Sequence, residues 1–369
     1  MSHGYVAIQW NSHKRCYDAI VASAVVAYLG VFLVVGKLMW QGANAISDEV
    51  LAIRGLGSCA FVMLHVVLAI GPLARLDPRF LPVLANRRHL GVLTFVVALA
   101  HGLLSVGYYH GFGVLNPLLS VLTINQNVLS LHAFPFELLG LLALVVLFLL
   151  AATSHDFWLK ALSARAWKSL HMSVYFAYAL LVAHVALGAL QTDRGSMLAI
   201  LVGAGLVGLS ALHVAASRRE SIRDRVASSL TDGWIDAGDA GSIPENRARI
   251  VTAPNSSRTQ VQPHARGDVR PDRIAVFRHA GGFSAVTNVC AHQGGPLGEG
   301  RVIDGCITCP WHGWQYKPAD GCAPPPFLEK IATHQVRIVA GRILVNPHPL
   351  PPGTAVTPAT LASEPKRDV

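Results

Sequence analysis

Long apolar blocks alternate with short polar segments along the first part of the chain. Each block has about twenty predominantly apolar residues, enough for an α-helix to cross the hydrocarbon core of a bilayer. The blocks lie at 17–38, 51–72, 90–109, 134–153, 170–190 and 196–216. This pattern predicts a domain of six transmembrane helices over 17–217, preceded by a polar segment at 1–16.

The pattern changes after residue 217. Residues 218–232 are rich in Arg, Asp and Ser and are predicted to form a linker. From 233 to 348, short apolar runs alternate with Gly-rich turns, which favours a small antiparallel β domain. Its clearest predicted strands begin at Trp234, Arg273 and Val336. Residues 349–369 are rich in Pro, Ala and Thr and are predicted to be disordered.

Composition supports a membrane-embedded part. Of the 369 residues, 52% are hydrophobic and only 14% are charged, and the mean hydropathy is +0.43. Such a chain is too apolar to be soluble throughout. The net charge of +9 could indicate a nucleic-acid partner. However, the basic residues cluster at the ends of the apolar blocks, so we predict a lipid bilayer and no nucleic acid.

The positions of the basic residues predict the orientation in the membrane. One side of the predicted bundle has Lys14, Arg15, Arg75, Arg79, Arg87, Arg88, Lys160, Arg165, Lys168, Arg218 and Arg219. The other side has Lys37 and Arg194, with Arg54 near a helix end. Because positively charged loops remain in the cytoplasm, both termini are predicted to be cytoplasmic in a bacterial inner membrane.

Two short motifs in the predicted β domain combine cysteine with histidine. Cys290-Ala-His292 is followed, after sixteen residues, by Cys309-Pro-Trp-His312. This arrangement resembles the Rieske [2Fe–2S] family, in which two cysteines hold one iron and two histidines hold the other. A zinc site with two Cys and two His is the alternative, since Cys306 and Cys309 also form a C-x-x-C pair. The glycine- and proline-rich surroundings favour the Rieske interpretation.

Residues around the motifs indicate which Rieske proteins this sequence resembles. High-potential members have an extra cysteine in each motif and a serine after the second His-Gly. Here those places hold Gln293 or Gly294, Trp311 and Trp314, while Tyr316 is retained. Fewer hydrogen bonds to the cluster sulfurs lower the reduction potential. The resemblance is therefore to Rieske ferredoxins and to the electron-entry domains of oxygenases.

The segment after the second motif completes the expected Rieske domain. Pro324-Pro325-Pro326 is predicted to form a third loop that covers the cluster. A Rieske oxygenase would also need a downstream domain with a mononuclear iron site. Because about twenty residues follow the β domain, a self-contained oxygenase is not expected.

Histidines within the predicted spans are candidate cofactor ligands, because an ionisable residue in a membrane is costly. They are His65, His89, His101, His171, His184 and His213. His101 and His184 lie about 18 Å and 20 Å from the inner ends of their helices, and this equal depth predicts a pair of axial ligands to a b-type heme. The alternative is that the histidines are hydrogen-bonded core residues. His110 and His132, in the predicted outer loop, are expected to face solvent.

Several short motifs in the apolar region resemble the ferric reductase-like transmembrane domain. They are Arg87-Arg88-His-Leu-Gly91, Phe95, His101, Ala152-Thr-Ser154, Trp167, Leu170-His171, Tyr175 and His184. Within that family the pattern is most similar to the heme-binding membrane subunit of the bacterial methionine sulfoxide reductase system. The resemblance implies that His101, His171 and His184 bind one or two b-type hemes. His65 is a further candidate at the inner level, although it has no counterpart in the family pattern.

Together, the two regions predict an oxidoreductase or electron-transfer subunit. Electrons would pass from a cytoplasmic reductase through the Rieske cluster to membrane heme and on to a periplasmic acceptor. One alternative is a quinone-linked diheme cytochrome with a Rieske module. Another is a membrane-anchored Rieske ferredoxin without heme. Relatives of the membrane domain often end in a domain that binds flavin and nicotinamide, and the Rieske domain takes its place here. Whether this chain also binds a flavin is not decided by the sequence.

Overall fold

The protein divides into two compact units. The computed structural model describes residues 12–42, 45–80, 83–84, 86–123, 125, 127–131, 134–154, 158, 162, 164–192, 196–225, 230–253, 273–292, 294–311 and 313–361. The helical unit comprises Trp10–Leu73 and Asn86–Ala215. The β unit includes Ala74–Ala85 and Ala216–Val369.

The helices correspond to the apolar blocks of the sequence. They are α1 (Ser12–Met39), α2 (Asp48–Leu76), α3 (Arg87–His110), α4 (Pro117–Thr123), α5 (Phe136–Ala152), α6 (Ala164–Met172), α7 (Val174–Leu187), α8 (Ala189–Thr192) and α9 (Ser196–Arg225). Among the described residues, five helical segments can cross a membrane by length and composition, and α5 is a shorter apolar helix. The fifth predicted span is divided by turns at Ser173 and Gly188 into α6, α7 and α8. The predicted helical membrane domain is confirmed.

A small core holds the helical unit together. Its buried residues are Leu64, Leu68, Leu147, Leu150, Ala177, Tyr178 and Leu209, which come from α2, α5, α7 and α9. Most other apolar side chains on these helices are exposed or half-buried. A helix that is apolar on all sides, and whose side chains are mostly not covered by protein, is suited to lipid contact. The helical unit therefore has the surface of a membrane domain.

Helix α9 extends further than the sequence predicts. The last predicted span ends at 216 and a linker was expected over 218–232, but α9 continues to Arg225. Arg and Glu in this stretch are good helix formers, so the helix does not need apolar residues to continue. Within the β unit, the Glu220 carboxylate accepts a hydrogen bond of 2.6 Å from Arg273. This ion pair joins the end of α9 to the β structure.

The described part of the β unit forms three antiparallel sheets, which confirms the predicted small antiparallel β domain. Its strands are β1 (Leu230–Thr231), β2 (Trp234–Asp239), β3 (Ala248–Thr252), β4 (Arg273–His279), β5 (Gly282–Thr287), β6 (Arg301–Ile303), β7 (Cys306–Thr308), β8 (Gln315–Tyr316), β9 (Thr333–His334), β10 (Val336–Val339), β11 (Arg342–Val345) and β12 (Ala359–Thr360). The strand orders are β1-β2-β11-β10, β12-β5-β4-β3 with β9 also on β5, and β6-β7-β8.

Strand β4 separates two hydrophobic cores because successive side chains point to opposite faces of a strand. Ile274 and Val276 belong to one core, shared with β2 and β11. Ala275 and Phe277 belong to the other, which also contains Cys290 and Cys309. Alternation along one central strand thus places a hydrophobic layer directly beneath the two cysteines.

The segment after the predicted β domain is ordered over 349–361, so the prediction of a disordered tail was wrong there. The Leu350 N–H donates to the Thr333 carbonyl at 2.9 Å, and the Val356 N–H donates to the Ala319 carbonyl at 2.7 Å. Strand β12 then pairs with β5. These are isolated bonds to loops and short strands, which leave no periodic sequence pattern. Residues 362–369 lie outside the described part of the chain.

Candidate functional site: two redox centres

The first Cys-His motif forms a tight hydrogen-bonded loop. The Cys290 N–H donates to the Gly295 carbonyl at 2.8 Å, and the Gly294 N–H donates back to the Cys290 carbonyl at 2.7 Å. Gly294 has a φ of 73°, a left-handed conformation that favours glycine. The loop therefore depends on the glycine that follows the motif.

The second motif folds in the same way. The Cys309 N–H donates to the Trp314 carbonyl at 2.8 Å, and the Gly313 N–H donates to the Cys309 carbonyl at 2.9 Å. Gly313 has a φ of 70°, as its counterpart does in the first loop. Two loops of equal geometry thus present one cysteine each, which suits a binuclear centre held from two sides. His312 lies outside the described residues.

The two cysteines share one buried region. Cys290 and Cys309 are each 2% exposed. A methyl group added to Gly295 would lie 2.7 Å from the Cys309 Sγ, so the first loop directly contacts the thiol of the second. Buried thiols presented by two abutting loops provide the sulfur ligands that an iron–sulfur cluster requires. The described residues therefore fit a Rieske cluster.

Aromatic rings cover His292. Its imidazole stacks on the Trp314 indole with ring centroids 4.1 Å apart and an angle of 2° between planes. Trp314 in turn packs against Phe327 at 4.3 Å, directly after the three prolines. The third loop that the sequence predicts thus packs against the ring that stacks on His292.

Tyr316 connects the first cysteine to the first histidine. Its hydroxyl lies 3.3 Å from the Cys290 Sγ and 3.3 Å from the His292 backbone nitrogen. Burial raises the pKa of Tyr316, and the neighbouring Cys290 thiol raises it further. The hydroxyl thus stays protonated, accepts from the His292 N–H and can donate to the sulfur.

Replacing Tyr316 by phenylalanine is expected to lower the reduction potential of the cluster. A hydrogen bond to a ligand sulfur stabilises the reduced, more negative state. If the hydrogen bond is about 1 kcal/mol stronger in the reduced state than in the oxidised state, its loss lowers the potential of a one-electron couple by roughly 40 mV. A redox titration followed by paramagnetic resonance measures the change. The control is Thr333→Val, which removes a buried hydroxyl bonded to the Thr354 carbonyl. An unchanged potential in Tyr316→Phe would show that the hydroxyl does not bond the ligand sulfur.

His101 and His184 are held in the same way in the helical unit. The His101 Nδ1–H donates to the Ile53 carbonyl at 2.9 Å, and the His184 Nδ1–H donates to the Phe136 carbonyl at 2.8 Å. Because a carbonyl can only accept, the hydrogen is on Nδ1 and the Nε2 lone pair is available to a metal. Both imidazoles are thus in the tautomer that a ligand needs.

The separation of these two imidazoles fits a shared metal ion. Their ring centroids are 6.4 Å apart, and the ring planes are at 80° to each other. Two imidazoles that bind one metal through bonds of about 2.0–2.1 Å have centroids roughly 6.3 Å apart. The distance is therefore that expected for two axial ligands of one heme iron.

His171 and His65 have other partners in the structure. The His171 Nδ1–H donates to the Trp167 carbonyl at 3.0 Å and its ring stacks on Trp167 at 3.6 Å. Its Nε2 lies 3.5 Å from the Ser154 Oγ. The His65 Nδ1–H donates to the Phe61 carbonyl, while its Nε2 is 2.9 Å from the Tyr178 hydroxyl. No interaction among the described residues joins the two histidines.

The sequence interpretation missed a polar cluster near the end of α3. His110, expected to face solvent, is 8% exposed. Its Nδ1 is 2.9 Å from the Ser120 Oγ and its Nε2 is 3.3 Å from the Glu137 carboxylate. The reason is that α4 folds back over the end of α3, which an apolar loop does not reveal. His132 lies outside the residues that the structure describes.

Two family models match the chain, one for each unit. The family described as "Ferric reductase like transmembrane component" matches residues 54–182. The Rieske [2Fe-2S] domain family matches residues 250–335. The first range includes His101 and ends two residues before His184, and the second includes both Cys-His motifs.

Individual proteins resemble one unit or the other. The protein-methionine-sulfoxide reductase heme-binding subunit MsrQ of Caulobacter vibrioides is 32% identical over 214 residues, which cover 56% of this chain and 92% of that protein. Cholesterol 7-desaturase nvd 1 of Ciona intestinalis is 27% identical over 118 residues, and the chain spans only 22% of its length. The ferredoxin of carbazole 1,9a-dioxygenase from Nocardioides aromaticivorans is 18% identical, with a TM-score of 0.25 over 32% of this chain and all of that one. Because the Caulobacter protein is matched over nearly its whole length, the chain belongs to the ferric reductase-like family of heme-binding membrane subunits, and it carries a Rieske [2Fe–2S] domain after the membrane helices.

Proposed function

We propose that the chain carries electrons across a bacterial inner membrane, from a cytoplasmic reductase to an acceptor that is periplasmic or a membrane quinone. Ferric reductase-like electron transfer is the activity of its family. When bound, the Rieske cluster and the b-type heme supply one-electron redox chemistry, while the protein positions and tunes them. The observation that carries the proposal is the His101–His184 pair, with centroids 6.4 Å apart.

The side of the membrane assigned to each centre in this proposal follows from the charges. The basic residues collect at the helix ends that share a side with the N-terminus and with the end of α9. Positive residues favour the cytoplasm, which would place the β unit there. The electron-entry centre would then be held by Cys290, His292, Cys309 and His312. The centre nearer the opposite surface would be held by His101 and His184.

His171 is proposed to hold a carrier between these two centres. It lies on α6, 13 residues before His184 on α7, and the turn at Ser173 separates the two helices. Its ring stacks on Trp167, which offers a planar aromatic surface beside a potential ligand. A second heme or a flavin would each suit this level. His65 is the alternative contributor there, provided that its bond to Tyr178 is exchanged for a ligand.

The proposal predicts directional electron transfer through vesicles. The protein would be reconstituted with the β unit outside and ferricyanide trapped inside. A chemically reduced plant-type ferredoxin, too large to cross the bilayer, is then added outside. We expect loss of ferricyanide absorbance in the wild type and none in Cys309→Ser. Equal rates in both proteins would contradict entry through the Rieske centre. No reduction by wild type that contains both cofactors would contradict transmembrane transfer.

A further inference from the structure

The two paired imidazoles are held by the same contacts at the same sequence spacing. His101 follows Ile53, its carbonyl partner, by 48 residues, and His184 follows Phe136 by the same 48. In each case the carbonyl is on a helix that precedes the helix with the histidine. The second set of residues begins 83 positions after the first.

A glycine occupies the equivalent place in both sets. A methyl group added to Gly57 would lie 2.9 Å from the His101 Cε1, and one added to Gly140 would lie 2.9 Å from the His184 Cε1. Each glycine is four residues after the carbonyl that its histidine bonds, one helical turn further along. Because glycine has no Cβ, the imidazole can lie against the helix and reach that carbonyl.

The equivalence continues along the same helix faces. At the 83-residue offset, Ala60 corresponds to Ala143, Leu64 to Leu147 and Thr94 to Ala177. All six residues are buried. Together with the glycines, positions 57, 60 and 64 follow the spacing of one helix face, as do 140, 143 and 147. The match therefore involves packing as well as the histidines.

We infer that the helical unit contains an internal repeat, in which 53–101 and 136–184 are equivalent half-sites, and that Gly57 and Gly140 are the positioning residues for the two imidazoles. This inference rests on the proposed heme at His101 and His184. Each glycine admits the ring, and each carbonyl holds the hydrogen on Nδ1. A metal ligand is usually fixed by such a bond from its other nitrogen.

The equivalence does not extend to His171, where a further carrier is proposed. His171 belongs to the second copy, and the equivalent position in the first copy is Arg88. A guanidinium has no acceptor and remains protonated in proteins, so it does not bind iron. The repeat therefore accounts for one bis-histidine site, and the carrier proposed at His171 has no counterpart in the first copy.

Gly57→Ala and Gly140→Ala in the full chain test the positioning role. Each added methyl group should displace one imidazole, with loss of most of the low-spin signal and a change in the heme reduction potential. Two matched variants serve as controls. Gly107→Ala is on the same helix as His101 and meets nothing within 4 Å. Gly55→Ala is on the same helix as Gly57 and places a methyl group 3.0 Å from the Phe32 Cδ1, which crowds an aromatic ring outside the pair.

Optical spectra, paramagnetic resonance and redox titration give the outcome. The inference requires that both glycine variants change and both controls keep the wild-type spectrum and potential. A wild-type spectrum in either Gly57→Ala or Gly140→Ala would overturn it, as would a change in Gly55→Ala. If Gly57→Ala fails to accumulate, the yield of the double variant Gly57→Ala, His101→Ala is compared with that of His101→Ala alone. The added methyl group should then cause no further loss of yield. Further loss there would show a general packing defect and refute the positioning role.

The same samples separate this inference from the proposed heme site. His101→Ala and His184→Ala that keep the wild-type heme spectrum would refute the heme site itself. Loss of heme in those two variants, with unchanged glycine variants, would refute only the repeat and its positioning residues.

Discussion

Replacing His184 by alanine is expected to remove the low-spin heme signal from purified protein while the Rieske signal remains. Its Nδ1–H is bonded to the Phe136 carbonyl, and its ring centroid lies 6.4 Å from that of His101. Loss of one axial imidazole leaves a heme iron with a single protein ligand in this pair, so heme content and the low-spin spectrum should both fall. The reduced optical spectrum and paramagnetic resonance of one sample measure both centres.

The matched control is His213→Ala. This imidazole also lies on a membrane helix, and its Nε2 is 3.0 Å from the Tyr175 hydroxyl. Its removal costs a histidine and a hydrogen bond but is not expected to change the heme. A wild-type heme spectrum in His184→Ala, or loss of heme in His213→Ala, would show that the ligands have been misassigned.

Replacing Cys309 by serine should have the opposite result, with loss of the Rieske signal and retention of the heme. Cys309 is buried in a hydrogen-bonded loop whose geometry is shared by the Cys290 loop. A serine hydroxyl is a poor replacement for the thiolate that iron requires. Iron analysis and paramagnetic resonance, compared with the heme spectrum of the same sample, measure the effect.

Cys306→Ser is the control for this experiment, because Cys306 is the other cysteine of the C-x-x-C pair. Burial raises the pKa of Cys306 above its ordinary value, which favours the thiol over the metal-binding thiolate at neutral pH. The cluster should therefore survive its replacement. Loss of the signal in Cys306→Ser, or zinc in place of iron in the wild type, would support the two-Cys, two-His zinc alternative.

The candidate cofactor ligands could be predicted because their spacing in the sequence reflects the regular geometry of turns and helices. Cys290 and Cys309 occur in motifs whose flanking glycines determine the loop shape. The pairing of His101 with His184 follows from the fixed rise of an α-helix, since residues at equal depth on adjacent helices can meet. In both cases, the local geometry can be inferred from the sequence without knowledge of the tertiary packing.

Other features depend on backbone groups or on packing and left little trace in composition. The Ile53 and Phe136 carbonyls that hold the imidazoles belong to apolar residues, and any residue has a carbonyl. Gly57 and Gly140 are ordinary small residues until the 83-residue offset is compared with the positions of the histidines. The continuation of α9 to Arg225 was missed for a different reason, because a charged helix after a membrane span resembles a linker in composition.

Strand β12 covers backbone groups at one edge of strand β5. It pairs with Phe283 and Gly282 at one end of β5, next to the positions that β9 covers. Without it, that end of the sheet would present unpaired backbone groups, which can recruit a strand from another molecule. A Rieske fragment prepared for crystallisation should therefore end after 361 rather than at 348. The shorter fragment would keep every described cluster residue but would leave one edge of strand β5 unpaired.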